Sequence, residues 1–199
     1  ENGSLLIFDE MISGFRFAMG GIQEYLGVTP DLATFGKGIT NGMPLGVLAG
    51  KKEYMKEFDK VFLSSTYAPE ALTLAATSAN IDFYKKHNVI DELWSKGGYI
   101  EDGFNSVIDK YSIRKNMSLA GYPVRLMVNS HDNNGVQDSK LATLYQQEMF
   151  RHGMLCFSGV LMLSYSHSKE DLDLLIDAFD KTCEVIQEYL ASGKSIDSY

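Results

Sequence analysis

The 199-residue sequence is poor in cysteine, in basic residues relative to acidic ones, and in long apolar runs. Two cysteines, Cys156 and Cys183, fit neither a disulfide scaffold nor a zinc knuckle. A reduced, cytoplasmic protein is the simplest expectation. Eighteen Lys and Arg against 26 Asp and Glu give a formal net charge of −8. Nucleic acid and anionic membrane surfaces both favour a basic face, so neither is expected as a partner. No apolar run reaches bilayer-spanning length. The four histidines, His87, His131, His152 and His167, show no metal-ligand spacing, and no metal is expected. His131 belongs to a polar run through Gly135 that reads as a surface turn. No nucleophile elbow and no complete phosphate-binding P-loop occurs.

What remains is ordinary globular material. Apolar residues make up 45% and charged residues 22%, enough to bury a core and to exclude intrinsic disorder. The first residue is Glu1, and the chain enters at once on the strand pattern Ser4-Leu5-Leu6-Ile7-Phe8. A buried parallel strand needs neighbours on both edges. The chain is therefore expected to be a C-terminal piece of a larger protein.

Residues 5–8 read as a strand ending in Asp9-Glu10, Leu32–Phe35 as a second ending in Gly36-Lys37-Gly38, and Leu45–Ala49 as a third. Short helices are expected over 21–25 and 53–58, and a strand over 60–63. A long helix from about Pro69 to Lys86 has apolar residues on nearly all faces and is expected to be well buried. Helical patterning resumes from Val89 to Tyr111, with a break expected at Gly97-Gly98. That break is the candidate domain boundary, giving regions 1–97 and 98–199. The second region reads as a small α+β unit: strand material over 117–129, a helix over 138–151 closed by Gly153, a strand over 161–165, and a last helix opened by a capping box at Ser168–Asp171. Leu172, Leu175, Ile176, Phe179, Cys183, Ile186 and Leu190 form one apolar stripe on that helix, expected to be core. The tail after Ala191 is expected to fray.

Three positions carry candidate chemistry. Lys37 lies between two glycines after an apolar strand. Glycines let backbone approach a ligand closely, and partial desolvation at a strand end favours the neutral, nucleophilic amine. Such a lysine suits Schiff-base formation with a carbonyl. Asp9 ends an earlier strand, where a carboxylate suits a cationic ring nitrogen. The 37 − 9 = 28-residue separation fits one strand–crossover–strand unit, which would bring both to one crevice. Thr66 follows Ser64-Ser65 and precedes the long helix, where hydroxyls and free N–H groups can form an anion site or simply cap the helix. A competing reading takes Leu5–Glu10 as a Walker B strand, with Asp9 for magnesium and Glu10 for water, in an ATPase fragment.

The run from Leu5 to Met55, with Asp9-Glu10, Gly14-Phe15-Arg16, Thr29-Pro30-Asp31 and Gly36-Lys37-Gly38 in this order, resembles class III pyridoxal-phosphate aminotransferases. Within them it is most similar to the glutamate-1-semialdehyde aminomutase branch. The resemblance is strong from Ser4 to about Thr77 and weaker through the C-terminal region. It implies a fold-type-I α/β architecture, with the end of the large cofactor domain first and a small α+β domain after it. It implies pyridoxal 5'-phosphate as cofactor, Lys37 as the catalytic, covalently attached lysine and Asp9 as partner of the ring nitrogen. It implies Thr66 as a ligand of the cofactor phosphate in a neighbouring subunit, and hence a homodimer with shared sites. Substrates would be a small-molecule amino donor and a keto or aldehyde acceptor. Two departures, Tyr67-Ala68-Pro69-Glu70-Ala71 after the threonine and the lack of any acid from Phe157 to Ser168, favour an aminotransferase relative over the mutase itself. A truncated, non-catalytic family member is the remaining alternative.

Overall fold

The computed structural model describes residues 3–62, 64, 66 and 70–192. The chain forms two compact units, Glu1–Asp91 and Glu92–Tyr199.

The first unit is built on a three-stranded sheet of β1 (Ile7–Glu10), β2 (Leu32–Phe35) and β3 (Val47–Gly50), in that order. β1 and β2 are parallel, with Asp9 opposite Thr34 and Glu10 opposite Phe35. The return from β1 to β2 contains α1 (Ile22–Leu26), so the expected strand–crossover–strand unit forms. β3 is antiparallel to β2, with Val47 opposite Phe35. A helix α2 (Lys52–Met55) continues into a 3-10 turn over Lys56–Lys60. No strand forms over residues 60–62, and Leu63 lies outside the described residues.

Burial in this unit is lighter than the apolar pattern predicts. Leu5, Leu6 and Ile7 are exposed, and among the described residues β1 pairs with β2 alone. The long helix, α3 (Ala71–His87), also departs from its expected burial. Among its residues only Thr73 is buried, while Leu72, Leu74 and Phe83 are exposed. The expected start at Pro69 lies outside the described residues. Glu70 caps the helix, and Asn88, in the left-handed conformation at φ 50°, ends it.

The second unit carries the core. A sheet of β4 (Met117–Tyr122), β5 (Arg125–Ser130) and β6 (Val160–Leu161) is antiparallel throughout. The expected strand over 161–165 pairs only at its first residue. The core is formed from this sheet, α4 (Val89–Lys110), α5 (Ser139–Arg151) and α6 (Lys169–Ser192). Phe104 of α4 stacks on Phe179 of α6 with ring centroids 3.8 Å apart. In the predicted stripe of α6, Leu172, Phe179, Cys183 and Ile186 are buried, and Leu175, Ile176 and Leu190 pack partly buried against them. Burial pushes the Cys183 thiol far above its ordinary range, consistent with an unreactive core group. The capping box also forms: the Asp171 N–H donates to Ser168 Oγ at 3.2 Å, and the Ser168 N–H to Asp171 Oδ2 at 2.7 Å. Asp138 caps α5, and Gly153 follows its end at φ 83°. The expected fraying of the tail falls mostly outside the described residues.

The helix α4 does not break at Gly97-Gly98. A side chain at Gly97 would meet Pro123 O at 2.0 Å. Gly97 therefore lets the tight β4–β5 turn lie directly on the helix, a packing requirement that resembles a helix breaker in sequence.

Candidate active site

The carboxylates that end β1 have separate tasks. Glu10 is completely buried. It accepts hydrogen bonds from the Ser13 hydroxyl, from the Ile22 N–H at 2.8 Å and from the Gln23 N–H at 2.9 Å. Glu10 thus supplies the helix cap that Gly21, the residue before α1, has no side chain to provide. Its oxygens are committed to protein donors, so Glu10 is not free to activate water. The Walker B reading of Asp9-Glu10 loses its second member for this reason.

Asp9 is exposed beside it. Its Oδ1 accepts from the Met11 N–H at 3.1 Å and from Thr34 Oγ1 at 3.3 Å. Both bonds fall on one oxygen, which leaves Oδ2 open among the described residues. The carboxylate is held in orientation from its own turn and from the neighbouring strand, with one oxygen available.

Lys37 lies just beyond the end of β2, three residues after the Thr34 that contacts Asp9. Gly36 is extended, and Lys37 then turns into the left-handed region at φ 48°. For a non-glycine residue that conformation costs about 1–2 kcal/mol, so the surroundings must hold it. A 3-10 turn over Lys37–Ile39 does so locally. The Ile39 N–H donates to Gly36 O at 3.3 Å, and the Asn41 N–H to Lys37 O at 2.9 Å. The buried Thr40 donates its hydroxyl to Met43 O at 2.5 Å. The flanking glycines serve close packing within the protein. A Cβ on Gly36 would lie 2.3 Å from Met11 Cε, and one on Gly38 would lie 3.3 Å from Gly14 O. The Lys37 side chain is exposed rather than partly desolvated, and its Nζ has no hydrogen-bond or ion-pair partner among the described residues.

Thr66 is exposed in a turn, with Ser65 and residues 67–69 outside the described set. The start of α3 is already satisfied by Glu70. Its Oε1 accepts from the Leu72 N–H at 2.7 Å, and its Oε2 from the Thr73 N–H at 2.7 Å and Thr73 Oγ1 at 2.6 Å. The Thr73 hydroxyl, with the Leu72 and Thr73 N–H groups, holds the Glu70 carboxyl below its ordinary range. Two of the N–H groups expected to be free for an anion are therefore occupied by the chain's own carboxylate. Of the three candidates, the fold brings Asp9 and Lys37 to the same end of adjacent parallel strands, and no described contact joins Thr66 to them.

The family model described as Aminotransferase class-III matches residues 1–182. The chain belongs to the class-III aminotransferases. It is 33% identical over 190 residues to the 3-aminobutyryl-CoA aminotransferase of Cloacimonas acidaminovorans, covering 94% of this chain and 45% of the relative. It is 35% identical over 194 residues to the glutamate-1-semialdehyde 2,1-aminomutase of Methanosphaera stadtmanae, covering 90% of this chain and 45% of that protein. The class-III chain thus spans less than half the length of these curated relatives. In fold it is similar to the FumI protein of Sphingopyxis sp. MTA144, solved in its pyridoxal-phosphate internal aldimine form. The TM-score is 0.86 at 20% identity, over 96% of this chain and 45% of that one. The class-III chain therefore has the α/β architecture of fold-type-I enzymes over the part present. Sequence reasoning named Asp9 and Lys37 but missed the structural role of Glu10. The available signals were Ser13 three residues beyond it and the glycine at position 21 before a short apolar helix.

Proposed function

We propose that this class-III protein transfers an amino group from a small-molecule donor to a keto or aldehyde acceptor, using pyridoxal 5'-phosphate. The observation that carries the reading is the placement of Asp9 and Lys37 at the same end of β1 and β2. The donor set fits the cofactor: a carboxylate with an open oxygen for a protonated ring nitrogen, and an unpartnered primary amine for the carbonyl. When bound, the cofactor supplies an electron sink for charge developing on the substrate carbon. Asp9 Oδ2 would hold the proton on the ring nitrogen. The Thr34 hydroxyl and the Met11 N–H keep that carboxylate aimed. Lys37 Nζ would attach the cofactor and, when displaced by the substrate amine, accept and return a proton. Positioned proton transfer of this kind contributes about 10²–10⁴-fold.

Residues 1–97 are read as the end of the large cofactor domain and 98–199 as the small C-terminal domain. Thr66 is assigned to the cofactor phosphate of a neighbouring subunit, which makes the protein a homodimer with shared sites. Its exposure, with no described partner in its own chain, supports that assignment. The two cysteines are unpaired, which supports a cytoplasmic location. No helix among the described residues is long and apolar enough to cross a membrane.

The test is borohydride trapping of added pyridoxal 5'-phosphate in the full-length protein, followed by peptide mapping. The expected label is at Lys37 and is lost in Lys37→Ala. A reducible adduct retained in that variant sinks the assignment.

A further inference from the structure

We propose that Asn80 of α3 is a positioning residue for Lys37. Asn80 is half-buried, and its side-chain amide nitrogen donates to Gly38 O at 2.8 Å and to Ile39 O at 3.0 Å. These are the two residues that follow Lys37 in its 3-10 turn. A helix 41 and 42 residues away in sequence thus grips the turn that presents the amine.

The reason such a grip matters is the backbone of Lys37 itself. At φ 48° it lies in a well that a non-glycine residue leaves readily. The local turn bonds fix the Lys37 carbonyl, which accepts from the Thr40 and Asn41 N–H groups. They do not anchor the turn to anything outside itself. Opening of the 36–41 segment would break these bonds together and swing the lysine away from Asp9. The Asn80 amide opposes that opening, because its nitrogen bonds two successive carbonyls of the turn and ties them to α3. One helical turn on, Tyr84 packs edge-on against Phe15, with ring centroids 5.7 Å apart. Gly14 O, beside Phe15, is the atom closest to where a Cβ on Gly38 would lie. Asn80 and Tyr84, four residues apart on one helix face, therefore hold both strand-end segments against α3.

The inference rests on the reading of Lys37 as the covalent amine, and the experiment separates the two. Asn80→Asp, Asn80→Leu and Asn80→Gln are made in the full-length protein. Aspartate has the same shape but cannot donate, glutamine keeps the amide on a longer arm, and leucine removes both bonds. Hydrogen exchange of the 39–41 amides, measured without cofactor, is expected to quicken about tenfold in the Asp and Leu variants, and glutamine is expected to restore most of the protection. The fraction of Lys37 trapped by pyridoxal 5'-phosphate and borohydride at limiting reagent, normalised to Lys51, is expected to fall about tenfold in the same two variants and to recover with glutamine. If the leucine variant fails to fold, the isosteric aspartate decides. Unchanged exchange in the turn, or faster exchange with undiminished Lys37 trapping, overturns the role of Asn80. No trapping at Lys37 in the unsubstituted protein overturns the Lys37 reading itself, and the positioning claim with it.

Discussion

Glu10 and Gly21 are matched to each other: a Cβ on Gly21 would come within 2.5 Å of Glu10 Oε2. Gly21 also has φ 87°, which side chains rarely adopt. The buried carboxylate can reach the start of α1 only because this position has no side chain. Gly21→Ala should therefore cost about 2–3 kcal/mol or more, combining strain with a displaced cap. Urea denaturation measures it. A loss under about 0.5 kcal/mol, the size of an ordinary surface change, would show that Glu10 has another way to satisfy α1.

Asp9→Asn should leave cofactor attachment at Lys37 detectable and lower turnover by at least about 10²-fold. The amide preserves the size of the side chain and can still accept from Met11 and Thr34, but it carries no charge to hold a ring proton. Near-normal transamination by the full-length variant would remove Asp9 from the mechanism.

Adjacent glycines in α4 should respond with opposite signs. Alanine favours a helix interior over glycine by about 1 kcal/mol. At Gly98 nothing lies within 4 Å of the added carbon, so Gly98→Ala should stabilise by about 0.5–1 kcal/mol. At Gly97 the added carbon meets Pro123 O at 2.0 Å, and Gly97→Ala should destabilise despite its better propensity. Thermal unfolding of the two single variants is the comparison, and a stabilising Gly97→Ala would contradict the hairpin contact.

Asp31 joins the three strands of the first sheet. It accepts from Lys51 Nζ at 2.6 Å and from the Leu6 N–H at 2.8 Å. The Lys51 ammonium first, and the Leu6 N–H second, hold its carboxyl below the usual carboxylate range. A depressed folded pKa gives stability that is present above the unfolded value, about 3.9, and lost as pH falls through the folded one. The stability gap between the unsubstituted protein and Asp31→Asn should thus be constant near neutrality and shrink on acidification below about pH 4. A gap independent of pH down to 2 would mean the ion pair contributes nothing.

Much of this protein could be read before any fold was known. The stripe of α6 and the Ser168–Asp171 box are short-range patterns, and both formed as read. β2 has the expected bounds, and its parallel pairing with β1 follows from the spacing of one crossover unit. The order of the Asp9 and Lys37 motifs pointed to the class-III family. The rest depended on which surfaces meet. An apolar helix announces that it can be buried, not that a neighbour is present, so the exposure of α3 was invisible in its sequence. A glycine announces missing atoms, not the reason for them: Gly97 admits a hairpin and Gly21 admits a carboxylate. Two adjacent acids look alike in sequence, yet strand pleating turns Glu10 into the protein to cap α1 and leaves Asp9 outside. Periodicity and spacing are set by neighbours along the chain, so the sequence determines them by itself. The tasks of Glu10, Gly97 and Asn80 are contacts across 12 to 42 residues, and only the tertiary structure decided those.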